Sequence, residues 1–281
     1  MSGIDAPLSD DVALVHIDTT KPSIARCYDA ALGGKENYEV DRQFIRRLEQ
    51  VAPEIGRMTW DNRKFLIRVT RFLAGEAGIT QFLDCGSGLP TAENTHQVAQ
   101  RIQPDARVVY VDNDPVVLAH GRALLEENDQ THFSAADIFE PGQVINDKIV
   151  RTYLNFSEPL ALFQLGTLHH YDGERSPQSI MAKYIEALPS GSYVAISHFC
   201  DPETTSELSE LARKMEQVFL HSPLGSSGAF RTRAEIEGMF PGLELVEPGL
   251  IRCADWWPDG PRIEPLDPIQ DCLVGAVGRK P

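Results

Sequence analysis

Basic residues are in deficit in this chain. There are 26 Lys and Arg against 41 Asp and Glu, giving a formal net charge of −15 and a sequence pI of about 4.9. The deficit excludes phosphate-backbone binding as the main task, because that contact needs a basic surface and counterion release. It argues equally against docking on an anionic membrane. Cysteine is sparse. Cys27, Cys85, Cys200, Cys253 and Cys272 are odd in number and form no CxxC pair. A disulfide framework and a zinc ribbon are thereby excluded, and a reducing cytoplasm is the natural setting. No run approaches the ~18 consecutive apolar residues of a membrane span. The acidic start, MSGIDAPLSDD, lacks the basic and apolar segments of a secretory signal. Repeats and low-complexity tracts are also missing. What is present is a globular composition: 42% of the 281 residues are hydrophobic, enough to build a sizeable core.

The order of patterns divides the chain into an acidic leader at 1–20, a helical cap at 21–75 and an α/β region at 76–281. In the cap, Pro22 suits a first helical turn. Ile24, Tyr28, Ala31 and Leu32 then share a face, and Gly33-Gly34 stops the helix. A second apolar stripe runs from Val40 to Leu48 and a third from Trp60 to Leu73. After Gly78, short apolar runs alternate with amphipathic helices. Strands are predicted at 80–84, 107–111, 132–135, 160–165, 192–197, 243–246 and 272–277. Helices are predicted near 92–102, 114–127, 176–188 and 204–220, with a capping-box spacing at Thr232 and Glu235. Such alternation implies a parallel-rich sheet covered by helices on both faces.

The strongest local motif is Asp84-Cys85-Gly86-Ser87-Gly88, which ends a buried strand and turns into a helix. Ligands of doubly wound sheets bind beyond the carboxyl ends of strands near such turns, and glycines let the backbone approach them. A dinucleotide fingerprint needs a third glycine where Thr91 stands, and no GxxxxGK[ST] loop occurs. A strand ending in Asp two residues before the first glycine is instead the arrangement of an S-adenosylmethionine site. There the loop backbone meets the amino-acid end of the cofactor and the carboxylate helps to hold its ammonium. A tight strand–helix turn without ligand is the plain alternative. The second motif is Val108-Val109-Tyr110-Val111-Asp112-Asn113-Asp114-Pro115. Asp112 stands 24 residues after Gly88, near the ~20 expected for an acid on the next strand that accepts the ribose hydroxyls. Asp114, beside Pro115, reads as a helix cap. The third is Asp137-Ile138 after the third strand, suited to the adenine amino group and ring face; a surface loop Asp is its alternative.

On these residues the chain resembles class I S-adenosylmethionine-dependent methyltransferases. It is more closely similar to a bacterial S-adenosyl methyltransferase family long carried as a domain of unknown function. The matching stretches include Pro22 through Asp29, Leu32 through Tyr38, Asp41-Arg42, Asn62 through Leu66, Gln81 through Thr91, Val108 through Pro115, Leu168-His169-His170, and Gly191-Ser192-Tyr193 with Ser197-His198. Residues 21–200 carry the resemblance most strongly. Cys85 and Ser87 depart from it by small changes, standing where a branched aliphatic residue and Thr are usual. The resemblance implies a Rossmann-like α/β fold with a seven-stranded, mostly parallel sheet whose last strand is antiparallel. It implies S-adenosylmethionine as cofactor and names no acceptor.

The cofactor set is therefore Asp84, Gly86, Ser87, Gly88, Asp112, Asn113, Asp137 and Ile138. Methyl transfer from a sulfonium is an in-line displacement in which alignment and desolvation supply much of the acceleration. A base is needed only when the acceptor is a poor nucleophile that carries a proton. His169 and His170 are the candidates for that base, against a loop-packing role. With Asp172 they do not make a recognised metal cage, so no metal is expected. Tyr28, Gly33, Gly34, Lys35, Asn37 and Arg63 are candidates for a lid over the cofactor and acceptor, against a helix stop with solvated charges. Trp256-Trp257 is a candidate aromatic wall, against core packing. The expected acceptor is a small molecule rather than nucleic acid or membrane. The oligomeric state stays open. Two other readings stand beside the methyltransferase: a non-catalytic cofactor-binding regulator and a nicotinamide-dependent oxidoreductase.

Overall fold

The computed structural model describes residues 17–90, 93–124 and 128–281. The acidic leader through residue 16, Thr91, Ala92 and the end of the helix expected to reach 127 lie outside the described residues. Three helices come first: α1 (Ile24–Ala31), α2 (Glu39–Glu49) and α3 (Ile55–Gly75). Helix α1 begins later than Pro22 would set it. The Ser23 hydroxyl accepts the Arg26 N–H and caps the helix, which leaves Pro22 outside the first turn. Asp41 joins the first two helices. Its carboxylate takes the Arg26 guanidinium at 2.9 Å and the backbone N–H groups of Ser23 and Tyr38 at 3.0 and 2.8 Å, all in a buried position. In α3, Phe65, Val69 and Leu73 recur every fourth residue and are buried, while Trp60 is 41% exposed.

The α/β region runs β1 (Gln81–Cys85), α4 (Thr95–Ile102), β2 (Arg107–Val111), α5 (Pro115–Leu124), β3 (Thr131–Ser134), α6 (Pro141–Asn146), α7 (Lys148–Tyr153), β4 (Ala161–Leu165), α8 (Pro177–Ala187) and β5 (Tyr193–Phe199). It continues with α9 (Ser206–Leu220), α10 (Arg233–Glu237), β6 (Glu244–Leu245), β7 (Ile251–Arg252) and β8 (Leu273–Arg279). The sheet order is β3-β2-β1-β4-β5-β8-β6. The first five strands in this order are parallel, and β8 is antiparallel to β5. The Rossmann-like class expected from the alternation is the one observed. Among the described residues the sheet has eight strands rather than seven, because β7 pairs with β8 through Ile251 and Arg252. Two residues are too short to leave a periodic signal.

Strand alternation sends side chains into two cores. Phe82, Val108 and Phe163 pack with the cap helices, α4 and α9. Leu83, Val109 and Leu162 pack with α8 and the segment from 144 to 154. Trp256 is fully buried in the first core, edge-on to Phe65 at 5.5 Å. The expected aromatic wall is thus corrected at Trp256 to core packing, and Trp257 is 43% exposed beside it. Strand order reverses between β1 and β4, with β2 and β3 on one side and β5 on the other. The carboxyl ends of β1, β2 and β4 therefore meet at a topological switch point.

Candidate functional site

A cavity of about 390 Å³ lies at these strand ends, under the cap helices. Small-molecule sites span roughly 300–1,000 Å³. All eight cofactor candidates line it, as do Tyr28, Arg63, His169 and His170. Residues distant in sequence converge there because each follows a strand or faces one from the cap.

The loop after β1 is held open to a ligand by its glycines. Gly86 has φ +78° and Gly88 has φ +63°. A Cβ at Gly86 would lie 2.3 Å from Thr167 Cγ2, so only glycine fits between the loop and the segment after β4. The Gly86 N–H donates to Val111 O at 2.7 Å. Between the glycines, the Ser87 Oγ is buried and has no hydrogen-bond partner. Ser87 is among the residues that line the cavity, and an orphaned buried hydroxyl there fits a ligand that supplies a partner.

Three carboxylates edge the same space. Asp84 accepts the Thr95 hydroxyl at 2.6 Å. Burial pushes its pKa up to about 6, against that hydrogen bond and the nearby Arg63 charge. Asp112 accepts the Gly88 N–H at 3.0 Å on one oxygen and the Asp114 N–H at 2.9 Å on the other. Burial raises it to about 6 as well. Asp137 Oδ1 accepts the Phe139 N–H at 2.8 Å. Asp114 also accepts the Val116 N–H at 2.8 Å, the cap role expected of it. Arg63 is buried on α3 and donates to Glu93 O and Asn94 Oδ1 at 3.0 and 3.1 Å.

The expected lid divides. Tyr28 and Arg63 face the cavity, whereas Gly33, Gly34, Lys35 and Asn37 are not among its lining residues. Those four make a helix stop. Gly33 takes φ +80°, and the Gly33 and Gly34 N–H groups donate to Ala30 O and Asp29 O. The Asn37 amide donates to the buried Asp29 carboxylate at 2.7 Å, and Lys35 is exposed. Glu36 in the same loop reaches His120 of α5 at 3.0 Å, which ties the cap to the β2–α5 side of the site.

His169 and His170 occupy a short turn after β4. His169 Nδ1 receives the Phe199 N–H at 3.3 Å, an arrangement that assigns the proton to its other ring nitrogen. The ring stacks on Phe199 at 3.6 Å. His170 Nδ1 lies 2.7 Å from Ser226 Oγ. Burial drives His170 down to about 3 and His169 well below its ordinary value. Both are neutral imidazoles at physiological pH. His198, on β5, pairs with Phe199 O and Arg231 and has both ring nitrogens engaged. Among the described residues no group of three or more His, Cys, Asp or Glu is placed to hold a metal.

Sequence reasoning missed several lining residues. Asn62 donates to the Tyr28 hydroxyl at 3.1 Å and accepts from Ser197 Oγ at 2.5 Å, bridging the cap to β5. Thr167 packs against Gly86, and Thr95, behind the lining, holds Asp84. Phe44, Phe199, Phe219 and Leu224 form the apolar side of the cavity. None of these carries a local motif; only the tertiary fold joins them.

The family model described as S-adenosyl methyltransferase matches residues 11–281. The chain belongs to that family. It is an S-adenosylmethionine-dependent methyltransferase by this membership, which sets aside the nicotinamide reading. A candidate methyltransferase from Thermobifida fusca is 44% identical, with 94% of this chain and 96% of that one covered and a TM-score of 0.85. A DUF574 family protein from Streptomyces avermitilis is 35% identical, with 95% and 100% covered and a TM-score of 0.85. An O-methyltransferase family protein from Burkholderia thailandensis is 13% identical over 89% of this chain and 66% of that one, with a TM-score of 0.50, and shares the fold alone. None of the curated proteins matches the chain. Among the described residues no helix is long and apolar enough to cross a membrane.

Proposed function

We propose that this methyltransferase acts on a small-molecule acceptor and holds S-adenosylmethionine between the carboxyl ends of β1, β2 and β3. The bound cofactor supplies an electrophilic methyl group on a sulfonium. Asp84 receives its ammonium end, with Gly86, Ser87 and Gly88 approaching through backbone and hydroxyl. Asp112, with Asn113 beside it, takes the ribose hydroxyls. Asp137 accepts from the adenine amino group while Ile138 covers the ring. Arg63 receives the cofactor carboxylate from the cap side.

The observation that carries this reading is the convergence of all eight residues on one cavity at the strand ends. The chain's own contribution to the reaction is alignment and exclusion of water by the cap. His169 is assigned as a hydrogen-bond donor rather than a base, because its Nδ1 is already an acceptor. His170, held near 3, retains a proton poorly at neutral pH, so the acceptor's proton passes onward to solvent. The five free, buried cysteines support a cytoplasmic location, and the net charge of −15 supports a small molecule over nucleic acid.

Calorimetry with S-adenosylhomocysteine tests the proposal. The wild type binds, and Asp112→Ala weakens binding by about a hundredfold or more, equivalent to the loss of roughly 3 kcal/mol of charge-assisted hydrogen bonding. Absence of binding by the wild type overturns the reading.

A further inference from the structure

The cavity has two chemically different halves. Every charged side chain among its described lining residues lies in the half formed by Arg63, Asp84, Asp112, Asp114 and Asp137. The other half is enclosed by α1, α2, β5, α9 and the loop after α9, and contains no Asp, Glu, Lys or Arg among the described lining residues. Its wall is a connected set of rings. Phe44 meets Phe219 edge-on at 5.2 Å, Phe219 meets His170 at 5.7 Å and Phe199 at 5.8 Å, and Phe199 stacks on His169. Leu48 and Leu224 also line this half.

We propose that this ring-walled chamber is the acceptor site and that it selects an uncharged, flat, largely apolar molecule. The inference rests on the methyl-transfer reading above and deepens it. Such rings reward a partner with a π face, through offset or edge-on contacts in addition to area burial. An ionised acceptor entering the chamber exchanges water for apolar side chains with no counter-charge to receive it, and that penalty discriminates strongly. The two histidines do not supply one, since burial keeps both rings neutral. The polar groups of the chamber are instead uncharged; they include the Tyr28 hydroxyl, already bonded to Thr59 O and Asn62, the Asn62 amide and the His169 and His170 rings. These suit neutral polar atoms on an otherwise apolar skeleton.

The test uses full-length protein saturated with S-adenosylhomocysteine, so that probes meet only the acceptor half. The probes are neutral phenylnaphthylamine and its anionic sulfonate derivative, which share one ring system and report an apolar site by fluorescence. The neutral probe binds about tenfold or more tightly than the sulfonate. Phe219→Ala weakens the neutral probe by about tenfold. Leu224→Glu, at a half-buried loop position, does the same by placing a carboxylate in the wall. S-adenosylhomocysteine affinity, measured on each variant, verifies that the protein is folded. The proposal is overturned if the sulfonate binds as tightly as the neutral probe, if the neutral probe does not bind the loaded wild type, or if both folded variants bind it unchanged. Failure of S-adenosylhomocysteine itself to bind the wild type removes the cofactor reading and this one together; binding of that ligand without the neutral probe removes this one alone.

Discussion

The Gly88 N–H points at Asp112 Oδ2 from 3.0 Å, which locks the loop after β1 to the end of β2. The two residues belong to separate motifs, and the bond makes them one structure. With the Asp114 N–H on its second oxygen, Asp112 is oriented before any ligand arrives. Orientation in advance lowers the entropy lost on binding. It has a cost: burial lifts the carboxyl to about 6, and Asp84, one strand away, is lifted equally. The site thus stores two desolvated acids that a cationic ligand relieves.

Replacing Asp84 with Asn should stabilise the free protein while damaging the site. The amide carbonyl introduced by D84N can still accept the Thr95 hydroxyl, so only the charge is lost. Ionising Asp84 in the free protein near neutral pH costs on the order of 1–3 kcal/mol, from a rise above its ordinary 3.8 to about 6. Thermal melting near neutral pH should therefore shift upward in Asp84→Asn, and calorimetry should show weaker S-adenosylhomocysteine binding. A lower melting temperature with unchanged affinity contradicts the assignment.

Cofactor binding should weaken with acid. Asp84 and Asp112 are ionised above about 6 and protonated below it, and only the ionised forms attract an ammonium or accept both ribose hydroxyls. The stability sign is opposite for the free protein. Both folded pKa values lie above the roughly 3.9 of an unfolded Asp, so their stabilising contribution is full below that value and is lost as pH rises through about 6. The melting-temperature gain given by S-adenosylhomocysteine should consequently be larger near neutral pH than near pH 5. No break near the ordinary histidine value should come from His169 or His170, which are held neutral throughout this window.

Asp41→Ala should loosen the cap. The substitution strips the buried Arg26 of its counter-charge and leaves the Ser23 and Tyr38 N–H groups without their acceptor. Breaking one side of a buried pair costs about 3–5 kcal/mol. Urea denaturation should show a loss of that order, whereas a loss below about 1 kcal/mol, the scale of an exposed ion pair, contradicts the role. Because α1 and α2 carry Tyr28 and Phe44 into the cavity, the acceptor half should lose ligand affinity as well.

The parts of this fold that repeat locally were legible in the sequence. β2 has the predicted bounds, and the cofactor candidates, each at a strand end, fall together because parallel strands deliver their carboxyl ends to one edge. Contacts between distant segments were not legible. Gly33-Gly34 reads equally as a lid or a helix stop until Asp29 and Asn37 are seen to occupy the space beside it. Trp256 reads equally as a wall or as core until α3 is found against it. Phe44, Phe199 and Phe219 are ordinary apolar positions of α2, β5 and α9, and become a chamber only through packing.

The two glycines of the loop should respond unequally to alanine. At both, a positive φ makes the substitution unfavourable, by roughly 1–2 kcal/mol. At Gly88 nothing lies within 4 Å of the added Cβ, so that conformational term stands alone. At Gly86 the Cβ would press to 2.3 Å from Thr167 Cγ2 and 3.1 Å from Ile138 Cδ1, and the loop must shift away from the Val111 carbonyl it bonds. Gly86→Ala should accordingly reduce S-adenosylhomocysteine affinity by about tenfold more than Gly88→Ala. Adding Thr167→Ser to Gly86→Ala removes the Cγ2 and should recover the steric part of the loss but not the conformational part. Equal losses at the two glycines, or no recovery on adding Thr167→Ser, would show that the close approach of the loop to Thr167 does not set the geometry of the site.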